Sequence, residues 1–597
     1  MIKSRINLLY LIIMLIAIIY SPALNNDFVN LDDPYYINNP YIQYLNLNKL
    51  QEIFNPSGNV DKGNYYQPLV LLSYSLDFFL WKLNPAGYHL TSVILFIITL
   101  FIVYLITVKL FKNKYIPLMT LLLFAIHPLH VEVVAWFSGR TLLLSGLFCF
   151  TALYFFILSL EKRLYIFLSL FFFLCAVMSH PVSSLFSVII LLYFYAFSSP
   201  LKEKKILYKS FFVLPFFLIV IGFQAILFFL NAQSNRIVMI KHSDLKENIF
   251  IAVNVLGKYC ELLFWPQGLS AIYPVKLENS FLLSILLCFL LIFFLFYFFI
   301  RDKKLFFSTA WFVIFYIPVS NLFFIVNPDM LIADRYLYLP SFGFFLAFSI
   351  LTYKLLEFSR KVKYGKILKA VLCIILIIMT GSLSYLTYER CRVWKNSLTL
   401  WNDALKKYPH AYKAYNGRGL YYMNSEEYER AMADFNSALM VNPLYDEGYY
   451  NRGKVYSIKG NYDKALDDYT VAINIYEAPE YYNERAKIYY ERGEYDRAII
   501  DYSQVLNINP LSAAGYNNRG NVYNKKGEYD KAIDDFNKAL RLEPAFHKTY
   551  MNRALSYYLK KEYNKSWEDV RKLNELGYKV DPGFLELLKK ASGREKK

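Results

Sequence analysis

The stretch DFVNLDDPYYINNPYI carries three carboxylates, Asp27, Asp32 and Asp33. Two adjacent carboxylates can divide labour: one takes a proton while the other holds geometry or shifts its partner's pKa. The same residues also suit a local task, because Asp33 followed by Pro34 makes a good helix N-cap. Further along, His127, His130 and Glu132 form HPLHVE. Their spacing could supply metal ligands, yet Pro128 breaks the helix that would align the two imidazoles. A polar cavity wall is the preferred reading, ahead of a structural kink and of a metal site, and no metal is expected. Neither a phosphate-cradling Gly-rich loop nor a Ser-His-Asp nucleophile set is evident.

The elements that carry these residues are apolar. The chain has 597 residues, 56% hydrophobic, 19% aromatic and 19% charged. That composition excludes a disordered chain, a disulfide scaffold and an ordinary soluble enzyme. The six cysteines show no paired spacing. Apolar runs long enough to span a bilayer recur up to residue 388. They predict helices at 7–23, 89–111, 115–133, 141–160, 163–179, 181–197, 209–230, 281–300, 305–325, 336–356 and 367–388. The first reads as a retained anchor, since Ser-Pro-Ala at 21–23 is a poor cleavage site. The short run 69–80, interrupted by Asp77, reads as an interfacial helix.

A net charge of +18 invites a nucleic-acid role until it is divided. With eleven spans, alternate loops fall into two sets. The N-terminus, 109–114, 161–163, 198–209, 301–304 and 354–369 hold 20 Lys/Arg against 4 acids. The longer segments 24–88, 134–140, 231–280 and 326–335 hold 10 against 12. The basic set is expected in the cytoplasm with the N-terminus, and everything after 388 outside it. The charge records threading rather than a basic binding face.

The polar remainder repeats itself. Arg418, Arg452, Arg485, Arg519 and Arg553 recur with a period of 33 or 34, and so do Tyr428, Tyr462, Tyr495, Tyr529 and Tyr563. Small residues keep the same steps, at Gly419, Gly453, Ala486, Gly520 and Ala554 and at Ala431, Ala465, Ala498, Ala532 and Ser566. This pattern resembles the tetratricopeptide repeat, whose stacked helix pairs form a superhelix with a concave face. Asn451, Asn518 and Asn552 share one position of the first helix, which in that family lines the concave groove. There an Asn ladder would hold an extended peptide, or else be plain repeat consensus.

FVNLDDPYYINNPYI, NPAGYHLTSVILF, AIHPLHVEVVAWFSGRTLLLSGLF, WPQGLSAIYPV, YIPVSNLFFIV and ADRYLYLPSFGF, followed by the repeats, resemble GT-C membrane glycosyltransferases. The closer resemblance is to the transmembrane and tetratricopeptide-repeat O-mannosyltransferases (TMTC) and their bacterial relatives. The fold implied is all-α: a GT-C-like multi-pass domain followed by an α-solenoid. The domains expected are 1–388 in the membrane, 389–411 as linker and partial repeat, 412–580 as five repeats, and 581–597 as a polar tail.

What the resemblance implies is an inverting transfer of a sugar from a polyprenyl-phosphate carrier to a protein or peptide hydroxyl. The catalytic acid matches the pair Asp32 and Asp33. Arg335 and Arg140 are candidates for the donor phosphate, and His127, His130, Glu132, His89 and Asp334 for the cavity. No cofactor or nucleic acid is implied. The chain departs from the family pattern at Gln67, Ser92, Phe96 and Ser179-His180-Pro181, where relatives often have Arg, Asn, His and Ser-Lys-Glu. A membrane-anchored repeat scaffold for envelope assembly is the alternative, and an envelope oligosaccharide ligase or polymerase a third.

Overall fold

A computed structural model describes residues 2–43, 47–55, 66–197, 204–233, 245–273, 281–322 and 331–593. The described residues are helical, with no strand among them, and divide into two compact units, Met1–Ala411 and Tyr412–Lys597.

In the first unit each expected span coincides with helix, but the lengths differ from expectation. Among the described residues five helices are long and apolar enough to cross a bilayer: Pro85–Leu110, Phe137–Ser159, Leu282–Arg301, Asp334–Phe358 and Gly365–Val393. A sixth results if Tyr115–Ile126 and Pro128–Ala135, bent by 53° at Pro128, count as one. The expected spans at 163–179, 181–197 and 305–325 hold shorter apolar helices, of 13, 12 and 14 residues. Proline is one reason: Pro181 opens a new 3-10 turn after Tyr165–Val177, and Pro318 lies in the turn that ends Lys303–Tyr316. The end of the span at 305–325 lies outside the described residues. Helix Leu245–Phe264 occupies a stretch read as loop. Phe289 and Ile377 are 67% and 71% exposed, tolerable only against lipid. This is a multi-pass membrane protein.

The two loop sets meet at opposite partners. Lys109 pairs with Glu161 at 3.0 Å, Lys354 pairs with Asp302, and Lys304 lies 5.2 Å from the Phe111 ring centroid, all within the basic set. Asp33 bonds Ser138, and Arg335 pairs with Glu132, within the acidic set and its adjoining helix end. Between these contacts aromatic packing fills the unit. Phe150 stacks on Trp311 at 5.9 Å, and Gly343 lets its helix approach closely: a Cβ there would lie 2.4 Å from the Ser308 carbonyl.

Residues 389–411, expected as linker and partial repeat, belong to this unit. Helix Gly365–Val393 runs through Arg390, a capping box of Asn396 and Thr399 starts helix Ser397–Lys407, and Leu400, Trp401 and Ala404 are buried. Three apolar residues on one helical face give that segment a core to join.

The second unit is five helix pairs, from Tyr412–Asn424 with Tyr428–Val441 to His547–Leu559 with Tyr563–Glu575. Small residues sit where rings press in: a Cβ on Gly520 would lie 2.7 Å from the Phe536 ring. Each repeat arginine grips the aspartate sixteen positions later, as Arg485 holds both oxygens of Asp501 at 2.8 Å. The residues expected as a polar tail instead form helix Pro582–Ser592. Asp581 caps it by accepting from the Phe584 N–H at 2.9 Å, and Phe584 and Leu588, one turn apart, bury against the last pair.

Asp501→Ala leaves the mostly buried Arg485 guanidinium without its carboxylate and is expected to destabilise the array by about 3 kcal/mol. Lys459→Ala removes only an exposed pair with Glu429 and is expected to cost less than about 1 kcal/mol. Urea titration of the detergent-solubilised chain, read by proteolysis within 412–593, distinguishes the two.

Candidate active site

The loop after the first helix is held by side chains and backbone from far along the chain. The Asp27 N–H donates to the Lys395 carbonyl at 2.7 Å and the Asn30 N–H to Ser397 Oγ at 2.9 Å. Trp401 Nε1 donates to Asn30 Oδ1 at 2.7 Å, and Asn26 Nδ2 to the Cys391 carbonyl at 3.3 Å. A turn without regular hydrogen bonds thereby satisfies its backbone groups.

The two acids have separate environments. Asp33 is fully buried in the first turn of helix Asp33–Ile37. Its Oδ2 accepts from the Val29 N–H at 2.8 Å, and its Oδ1 from Ser138 Oγ at 2.6 Å and the Ser138 N–H at 3.2 Å. Burial pushes its pKa up to about 7 against the pull of these bonds. Asp32 is exposed and makes no side-chain cap hydrogen bond. Partial desolvation raises its pKa, and the Arg335 charge pulls it down.

Arg335 is held by Glu132, which accepts from its backbone N–H at 2.9 Å and pairs with its guanidinium. The guanidinium lies 5.2 Å from the Trp136 ring centroid and 5.1 Å from that of Tyr336. Asp334 turns the other way, to the Tyr273 hydroxyl and to Arg390 at 3.4 Å. His180, in the break between two apolar helices, senses the Arg335 charge and has its pKa lowered to about 4, chiefly by burial. Asp32 and His180 therefore both lie in the field of the Arg335 charge, and Glu132 anchors that arginine.

Other expected residues are occupied elsewhere. Arg140, expected at the donor phosphate, is enclosed: it pairs with Asp77, donates to the Tyr88 carbonyl at 2.6 Å and to Ser92 Oγ at 3.1 Å, and lies 4.9 Å from the Tyr74 ring centroid. Both imidazoles of HPLHVE, expected to wall a cavity, have their nitrogens engaged. His127 meets the Leu263 carbonyl and the Leu129 N–H, and His130 meets the Phe124 carbonyl and Ser341 Oγ. They fasten the bend. His89 is buried beside the Asp27 backbone, and Gln67 is buried too. In the repeats, Asn451, Asn518 and Asn552 donate to Asn416, Asn483 and Asn517 of the preceding repeat at 2.9, 3.2 and 2.9 Å. Their amides join neighbouring repeats, so one of the two N–H donors of each is committed within the array.

Sequence reading missed Ser138, Asn30, Trp136, Arg390 and Trp401. It named Asp77 and Arg140 but did not pair them. An acid inside an apolar run signals a buried pair, and that signal was present.

Folding favours the protonated form of Asp33, because its folded pKa lies above the unfolded one. That contribution is complete below about pH 4 and is lost as pH rises through about 7. Relative to wild type, Asp33→Asn is therefore expected to gain up to about 4 kcal/mol of stability between pH 4 and pH 8. Unfolding of the detergent-solubilised proteins across that range measures it; parallel curves would show that Asp33 does not titrate there.

Tetratricopeptide-repeat family models match residues 394–441, 446–479, 486–527 and 513–546. Protein O-mannosyl-transferase TMTC3 of Homo sapiens is 25% identical over 410 residues, covering 62% of this chain and 43% of that protein. Protein O-mannosyl-transferase F38B6.6 of Caenorhabditis elegans is 27% identical over 438 residues, covering 67% and 58%. Among solved structures, YrrB, a TPR protein with an unusual peptide-binding site, is 18% identical, with 32% of this chain and 97% of that chain covered and a TM-score of 0.28. The chain spans about half the length of the curated relatives it matches. A match over 62% of the chain exceeds what residues 412–597 can hold, so it extends into the membrane unit. By sequence, the chain is a TMTC-like multi-pass membrane protein carrying a tetratricopeptide-repeat array.

Proposed function

We propose that the chain is a glycosyltransferase that moves a sugar, mannose by analogy with the named relatives, from a polyprenyl-phosphate carrier to a hydroxyl of a protein or peptide. The observation that carries this reading is the opposition of Asp32, an acid left free of capping duty, to Arg335, a cation anchored by Glu132. Asp32 takes the proton of the acceptor hydroxyl, and that oxygen attacks the anomeric carbon from the face opposite the phosphate. The bond from the anomeric carbon to the phosphate oxygen breaks, and the phosphate leaves with the electron pair. Arg335 offers its positive charge and planar donors to that phosphate. The configuration inverts in a single displacement. Asp33 fixes the loop, and His180, neutral at physiological pH, is suited to hydrogen-bond sugar hydroxyls.

The charge of the loops supports an extracytoplasmic site, with the N-terminus in the cytoplasm. The reading calls for no metal; the donor is a substrate. The repeats would bind the acceptor or a partner protein.

In membranes supplied with polyprenyl-phosphate mannose and a Ser/Thr peptide, Asp32→Asn is expected to reduce transfer by about 10³-fold at unchanged expression. Arg335→Lys keeps the charge but loses the fork, and is expected to cost about 10²-fold. Wild-type rates in Asp32→Asn would remove Asp32 from the base's role, and no transfer by the wild type would leave the scaffold alternative standing.

A further inference from the structure

Asp32 and Arg335 are far apart in the sequence, the acid just before the short helix Asp33–Ile37 and the cation in the 3-10 turn that opens helix Tyr338–Phe358. Something must fix their separation, because a misplacement of about 1 Å at a reacting centre costs on the order of 10²-fold in rate. One segment touches both flanks. On the acid side, the Lys395 carbonyl and Ser397 Oγ accept the Asp27 and Asn30 N–H groups, and Trp401 donates to Asn30. On the cation side, Arg390 reaches Asp334 at 3.4 Å, and the Trp394 ring stacks on Trp136 with centroids 5.6 Å apart and planes at 28°. Trp136 is the ring that the Arg335 guanidinium approaches, and the Arg390 guanidinium lies 5.8 Å from the Trp394 ring centroid.

The segment is also braced against itself. Arg390 pairs at 2.9 Å with Asp403 of the following helix, and Asn396 and Thr399 exchange backbone and side-chain hydrogen bonds in the turn between them. Its capped turn and its indoles make it stiff where the first loop is not.

We propose that residues 390–401 are a positioning element that sets the spacing between Asp32 and Arg335. Ser397 and Trp401 position the acid through Asn30, and Arg390 and Trp394 position the cation through Asp334 and Trp136. The inference rests on the glycosyltransferase reading for its kinetic consequence and on the hydrogen bonds alone for its structural one. It also gives the start of the tetratricopeptide match, which begins at residue 394, a task inside the membrane unit rather than in acceptor capture.

The test uses Trp401→Phe and Ser397→Ala in the full chain, in lipid nanodiscs, with hydrogen exchange and transfer kinetics measured together. Loss of one buried hydrogen bond is expected to speed exchange of the amides in 27–33 about tenfold, with helix Gly365–Val393 unchanged. It is expected to lower kcat about tenfold at unchanged KM for the lipid donor, which a general loss of fold would not do. Unchanged exchange in 27–33, or faster exchange with wild-type kcat, overturns the proposal. If Trp401→Phe loosens the helix as well, Ser397→Ala, which removes a single hydroxyl, decides by the same criteria. If wild type transfers nothing, the glycosyltransferase reading falls, and exchange alone decides the clamp: a rise in 27–33 keeps it, and no rise overturns it.

Discussion

Asp334 and Arg335 are adjacent in sequence and pair in opposite directions, the acid with Arg390 and the cation with Glu132. Burying any one of these charges alone in an apolar unit costs several kcal/mol. The pairings therefore tie together the start of helix Tyr338–Phe358, the end of helix Gly365–Val393 and the bend at Pro128. Arg140 and Asp77 do the same for helices Phe137–Ser159 and Pro68–Trp81. In a unit whose outer surface gains little by packing against itself in lipid, such pairs decide which helices are neighbours.

The same requirement explains what was legible in the sequence. The Asp32–Asp33 pair, the alternation of basic and acidic loops and the repeat period are local or periodic patterns, and the repeat period returns as the five helix pairs. The division of labour between the two acids was not legible, because it depends on Ser138, more than a hundred positions away. Arg140 and Arg335 look alike in sequence, each beside a span; only their surroundings separate a fully enclosed cation from one that keeps a small exposed edge. The bends at Pro128 and Pro181 turned smooth apolar runs into shorter helices, which hydropathy alone does not resolve.

In the repeats local and global structure coincide. Arg485 and Asp501, or Arg519 and Asp535, lie in one helix pair, so their pairing could have been read from a fixed offset of sixteen. The final helix was missed because the charged residues after it dominate the composition, while Phe584 and Leu588, four positions apart, carry the fold.

The placing of both partners of each such ion pair inside a single repeat has an evolutionary consequence. A duplication or excision of one whole unit brings or removes a complete pair and leaves none of these arginines without its aspartate. The array can thus lengthen or shorten over generations by unequal copying, at little energetic penalty. The membrane unit has no such freedom, since its pairs join distant stretches and a single inserted residue would disturb several at once.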